Sequence, residues 1–180
     1  MVLRCKFAAC KNNSLLIACI IAFASVFHSG CTVSYSFSGA NISADVSTIS
    51  VQYFQNRASL VQPGLSQYIT DALIDKCKAQ TSKSIINGVG DVNFEGEITD
   101  YKTVMQTTGS DARAATNRFT ISVNVKFTNS VDPDLSYEKT FTRYEDYSTN
   151  LDFASVEKDL SDKIVAILVE DIFNEAFVTW

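Results

Sequence analysis

The chain has 180 residues, 15 basic and 20 acidic, with a formal net charge of −5, one histidine and five cysteines. An acidic chain without a concentrated basic face is unsuited to nucleic acid, whose phosphates demand one. The lone histidine, His28, falls in the N-terminal leader, so the remainder has no imidazole for a Ser-His-Asp or Cys-His pair, or for zinc.

Residues 1–30 have the three parts of a secretion signal. Arg4, Lys6 and Lys11 make a basic front with no acid nearby, and an apolar stretch runs from Leu15 to Phe27. At about 13 residues it is shorter than the roughly 20 a spanning helix needs. It ends in Ser29-Gly30-Cys31, the small pair before a cysteine that a lipoprotein signal peptidase cuts after the thiol is acylated. Cys31 is therefore the expected lipidation site. His28 departs from the pattern, since an aliphatic residue usually stands there; the alternative is cleavage at another small residue, which leaves Cys31 a free thiol.

Loss of the leader leaves 12 basic against 20 acidic residues, a net charge of −8, on 150 residues, enough for one domain. Cys5, Cys10 and Cys19 depart with the leader and Cys77 has no partner, so packing alone must hold the fold. The expected divisions are a signal over 1–30, a lipidated tether over 31–45 and one domain over 46–180. In the tether Val33, Tyr35 and Phe37 alternate, as a small edge strand or simply as the linker leaving the lipid.

In VSTISVQYF, residues 46–54, alternation puts Ser47, Ile49, Val51 and Tyr53 on one face of a strand. After Gln62-Pro63-Gly64, Ser66 is placed to cap a helix reaching about Gln80, with Leu65, Ile69, Leu73 and Cys77 as its apolar stripe. Cys77 on that stripe reads as a small buried hydrophobe. Asn87-Gly88-Val89-Gly90 is a turn. Val92, Phe94, Gly96 and Ile98 then alternate with polar residues, and the pattern runs on toward Val104. Phe119, Ile121, Val123, Val125 and Phe127 form the clearest strand, and a third, from Tyr137 to Tyr147, reads as an edge strand guarded by Lys139 and Arg143. A helix from about Ser155 carries Val156, Leu160, Ile164, Ile167, Leu168, Ile172 and Ala176 on one side.

Glu95, Glu97 and Asp100 are the one set that resembles a carboxylate pair for general acid–base work. Alternation explains them as the wet face of a strand whose core face holds Phe94, Gly96 and Ile98. Lys102, Arg113 and Arg118 flank or occupy a connection longer than ordinary hairpin loops, where Asp111 is the only acid. They are candidates for contact with an anionic ligand or a partner's carboxylates, against the plain reading of solvated loop charge. No catalytic residue, metal ligand set or cofactor is expected.

The stretches VSTISVQYFQNRASLVQPGLSQYITDAL, FEGEITDY, NRFTISVNVKFTN, TFTRYEDY and VEDIFNEAFVTW resemble, in order and texture, the LptE-type lipopolysaccharide-assembly lipoproteins, in a branch distinct from the enteric one. The resemblance implies an α+β fold, two helices packed on one face of a largely antiparallel four- to five-stranded sheet. It also implies a non-enzymatic outer-membrane lipoprotein, anchored through Cys31, that plugs the LptD-type outer-membrane β-barrel and assists lipopolysaccharide assembly. Thr32 after the cysteine lacks the aspartate that retains enteric lipoproteins at the inner membrane, and no acidic cluster of the kind associated with surface export follows. The expected place is thus the outer membrane, facing the periplasm. The alternative role is a small-ligand-binding or envelope-maintenance lipoprotein, which a deep apolar pocket between the long helix and the sheet would favour.

Overall fold

A computed structural model of the chain describes residues 42–60, 62–106 and 116–178. The signal, Cys31, the run at Val33, Tyr35 and Phe37, and Arg113 lie outside them. In chain order the elements are β1 (Thr48–Val51), β2 (Gln55–Asn56), α1 (Leu65–Gln80), β3 (Ser84–Ile85), β4 (Val92–Gln106), β5 (Thr116–Asn129), a 3-10 turn (Pro133–Leu135), β6 (Tyr137–Ser148) and α2 (Phe153–Phe177).

The sheet runs β3-β1-β4-β5-β6, with β2 also pairing β4. Two helices on a sheet make the α+β class read from the sequence, but the sheet is mixed. β4, β5 and β6 form an antiparallel meander. β1 lies parallel to both β3 and β4, and β2 is parallel to β4. A parallel neighbour requires a crossover, and α1 supplies it between β1 and β3.

The single strand expected over 46–54 is two short ones. Gln52 donates its backbone N–H to Phe94 O and Arg57 donates to Ile98 O, while between them the Phe54 N–H goes to Thr70 Oγ1 at 3.1 Å. That side-chain acceptor on α1 takes residue 54 out of the ladder and turns its ring inward. Phe54 is fully buried and Tyr53, expected on the Ile49 face, is 56% exposed. The same hydroxyl donates to Ser66 O at 2.7 Å. Ser66 is not the expected cap: it is buried inside the helix, and Gly64 occupies the N-cap position at φ +87°, where a residue with a Cβ is strained.

On β4 the core-facing phase changes once. Register with β5 slips between Ile98 and Asp100, a bulge that places Tyr101, rather than Asp100, on the core side. The core is aromatic: Phe94 and Phe127 lie 4.9 Å apart, Tyr101 and Phe119 4.8 Å apart edge-on, and Phe177 of α2 closes on both Phe94 and Phe127 at 5.8 Å. On α2 the buried stripe is Leu160, Ile164, Val165, Leu168, Val169, Ile172 and Phe173. Ile167, expected with them, is exposed, because the stripe turns toward Val165 and Val169 where the helix meets α1 as well as the sheet. Each large aliphatic or aromatic chain so buried contributes about 1.5–3 kcal/mol, which makes this layer the main source of stability.

Candidate interaction surface

Among the described residues both helices cover one face of the sheet, and none covers the other face of β4, β5 and β6. The side chains there are polar by alternation: Thr120, Ser122 and Asn124 on β5, Thr140, Thr142 and Tyr144 on β6. Four of the six bond one another. Ser122 Oγ and Thr142 Oγ1 are 2.9 Å apart, Thr140 donates to Asn124 Oδ1 at 3.2 Å, and Asn124 donates to Glu138 Oε1 at 2.9 Å.

At the far end of this face the structure brings Lys102 and Arg118 onto adjacent strands, one ladder step apart diagonally. Both belong to strands and not to the connection, because the hairpin ladder continues to Gln106 and Thr116. Both are also engaged. Lys102 Nζ lies 3.0 Å from Asp100. Arg118 grips Asp146 with two parallel bonds of 2.8 and 2.9 Å, and its guanidinium lies 3.7 Å from the centre of the Tyr144 ring. Hydrogen bonding to Arg118 holds the Asp146 carboxyl below the usual carboxylate range, and the same bond raises the guanidinium further. Tyr144 and Asp146 were missed as partners; their signal is the i, i+2 spacing on β6, which puts both on the open face once Arg118 is placed in β5.

Nearer β1 the face holds an open trough of about 420 Å³ beside Tyr53, Glu95, Glu97 and Lys126. Glu95 pairs with Lys126 at 3.9 Å and Glu97 with Arg57 at 3.6 Å. The carboxylates thus sit on the wet face as alternation implied, each beside a cation. Ser50, buried beneath the turn at Gly90, donates to Asn93 Oδ1 at 2.7 Å and accepts from the Gly90 N–H at 2.9 Å. Asp91 closes this end by accepting the backbone N–H groups of Ser47 and Thr48 at 2.8 and 2.9 Å. Those bonds, Ser47 first, lower its carboxyl pKa.

Between helices and sheet, the space that a small-ligand carrier would keep open is filled by Phe54, Phe94, Phe119, Phe127 and Phe173. Cys77 is wholly buried and burial pushes its thiol up to about 12, so it stays a thiol at neutral pH. Burial, and then the bond its hydroxyl donates to Glu157, raises Tyr101. Among the described residues no group of three or more His, Cys, Asp or Glu is placed to hold a metal, and no helix is long and apolar enough to cross a membrane.

These features define an α+β module that presents a broad, polar sheet face whose centre is cross-linked by hydrogen bonds. The family model described as "LptE: Lipopolysaccharide-assembly" matches residues 46–176, nearly all of that module. The chain belongs to the LptE family of lipopolysaccharide assembly. No curated protein matches it in sequence. Among solved structures, a hypothetical protein from Chlamydia trachomatis is similar at 8% identity and TM-score 0.50, over 73% of this chain and 98% of that one. A minor lipoprotein from Acinetobacter baumannii is similar at 12% identity and TM-score 0.48, over 72% and 91%. A protein from Xanthomonas campestris is similar at 12% identity and TM-score 0.49, over 74% and 87%.

Proposed function

We propose that this chain is a non-enzymatic outer-membrane lipoprotein, anchored through diacylated Cys31 and facing the periplasm, that plugs an LptD-type β-barrel and assists lipopolysaccharide delivery. Two acyl chains give durable attachment where a single one is only marginal. The observation that carries the reading is the helix-free face of β4, β5 and β6. It is a long sheet surface of hydroxyls, amides and paired charges, and the lumen of a membrane barrel is likewise polar. A face on which Ser122, Thr142, Thr140 and Asn124 already bond one another has fewer side chains left to order when it meets such a wall.

In this reading Lys102 and Arg118, together with Arg113 of the connection between β4 and β5, contact the barrel or the anionic groups of lipopolysaccharide. The test is affinity purification of a tagged chain from gently solubilised outer membranes. Co-recovery of a large outer-membrane barrel is expected, and recovery of the chain alone overturns the proposal. Replacing Lys102, Arg113 and Arg118 together by alanine reduces the barrel recovered while leaving the melting temperature near that of the parent; undiminished recovery rejects the role of these three residues.

A further inference from the structure

β3 and β4 are not neighbours, because β1 lies between them, parallel to both. The connection from β3 to β4, residues 86–91, must therefore cross β1, and it passes above Ser50. Three bonds pin the crossing. The Ile86 N–H donates to Ile49 O at 3.0 Å, Gly88 O accepts from Gln52 Nε2, and the Gly90 N–H donates to Ser50 Oγ at 2.9 Å. Asn87 and Gly88 stand exposed in the middle of it, with Gly88 at φ +100°. Among the described residues neither the Asn87 amide nor the Gly88 N–H has a hydrogen-bond partner. The other asparagines are placed differently. The nitrogens that follow Asn56, Asn129 and Asn150 are committed to Ile98 O, Asp91 O and Ser148 O at 2.9, 2.8 and 3.1 Å. Asn129 is held further by its own Oδ1, which accepts the Val131 and Asp132 N–H groups. Asn93, Asn117 and Asn124 lie within β4 and β5, and Asn174 within α2.

We propose that Asn87 is a modification site, at which the folded chain converts asparagine spontaneously to isoaspartate. The Gly88 nitrogen loses its proton to hydroxide and attacks Asn87 Cγ. A C–N bond forms there, the bond from Cγ to the side-chain nitrogen breaks, and ammonia leaves, closing a succinimide ring. Water then opens the ring at one of its two carbonyls. Opening at one restores the ordinary main chain with aspartate at 87; opening at the other routes the chain through Cβ and Cγ as isoaspartate. The sum is amide plus water to acid plus ammonia, with nothing oxidised or reduced. Glycine in the following place favours the attack because no Cβ crowds the nitrogen. Isoaspartate adds a methylene to a crossing that is pinned on both sides, and leaves a carboxylate as a side branch. The bond from Gln52 to Gly88 O is the nearest to be lost. Gln52 also donates to Asn93 Oδ1 at 2.9 Å, the acceptor that Ser50 shares, so the loosening passes to β1. The reaction needs neither lipid nor barrel and stands or falls separately from the function proposed above.

The test is to hold the tagged full-length chain, purified in detergent and folded, in mildly alkaline buffer. Its peptides are mapped at intervals by mass spectrometry with a fragmentation that separates isoaspartate from aspartate. Acid is expected at position 87 first, mainly as isoaspartate. At Asn129 it appears at least roughly tenfold more slowly, because the bonds to Asp91, Val131 and Asp132 must open beforehand. Asn87→Gln, which would have to close a larger ring, loses the early product. No product at 87, or equal product at 87 and 129 in the folded chain, overturns the proposal. Urea opens the bonds around Asn129 and narrows the gap; a gap that stays the same in urea would show that the following residue alone sets the order, and not the fold. For the effect on β1, the isoaspartate form is compared with freshly purified Asn87→Asp, which has the charge without the extra methylene. Hydrogen exchange of the β1 amides is roughly tenfold faster than in the parent for the isoaspartate form, and close to the parent for Asn87→Asp. Equal exchange in all three removes the coupling to β1.

Discussion

The Phe54 ring occupies the volume that a side chain at position 96 would need. A Cβ built on Gly96 would stand 2.3 Å from Phe54 Cε1, and that ring is fully buried with nowhere to retreat. Gly96→Ala is therefore an overpacking change and costs about 1–3 kcal/mol, read as a lowered urea midpoint. Phe54→Leu added to it recovers part of the loss. Phe54→Leu alone lowers the midpoint, so a double variant no better than Gly96→Ala would show that the clash lies elsewhere. Asp91 gives a residue-scale prediction in pH. The folded protein holds its carboxyl below the ordinary value of 3.8 through the Ser47 and Thr48 N–H groups. Its contribution to stability is complete above about pH 4 and disappears as pH falls through the lowered value. Asp91→Asn should flatten that part of the acid limb in a melting-temperature profile. A limb of unchanged slope would mean that other carboxylates set it.

Among the elements, those with clean periodicity were legible from the residues: β5 from five alternating apolar positions, α1 from Leu65, Ile69, Leu73 and Cys77, and the run of β6. What escaped was set by single contacts between distant segments. The Thr70 hydroxyl splits the first strand, and no pattern within 46–54 announces it. The bulge after Ile98 moves Tyr101 inward although strict alternation continues through Asp100. Ile167 fits a helical stripe as well as Val165 does, and only the position of α1 decides which side of α2 is covered. That decision is measurable. Leu168→Ala removes a wholly buried side chain and costs about 2–5 kcal/mol. Ile167→Ala changes stability by no more than about 0.5 kcal/mol, as for an ordinary surface position. Equal losses would put the helix in the phase read from the sequence instead.

The molecule as a whole divides its chemistry by face: an aromatic core beneath the helices, a polar mesh on the other side. The polar half of that division was readable in the alternation of β4 and β5, and so was the placing of Glu95 and Glu97 on the wet side. The state of Lys102 and Arg118 was not, since their partners Asp100 and Asp146 depend on the bulge and on the register of β6. The sheet divides in a second way. Its antiparallel meander joins neighbours in sequence, whereas β1 must find Val92, Asn93 and Phe94 across α1 and β3. Closing a longer loop costs more chain entropy before any contact rewards it. Hydrogen exchange should therefore find the β1 ladder amides opening at lower free energy than those from Ile121 to Val125; equal protection would mean that the sheet opens as one unit.

During synthesis the parallel pairing has a further effect, because β1 is made before the strand that completes it. Until β4 has followed, Ile49 and Phe54 have no sheet to enter and must be shielded by something other than their own fold. A transcript truncated within β3 would thus yield a sticky fragment, while a fragment beginning at β4 would retain the meander and the long helix that covers it.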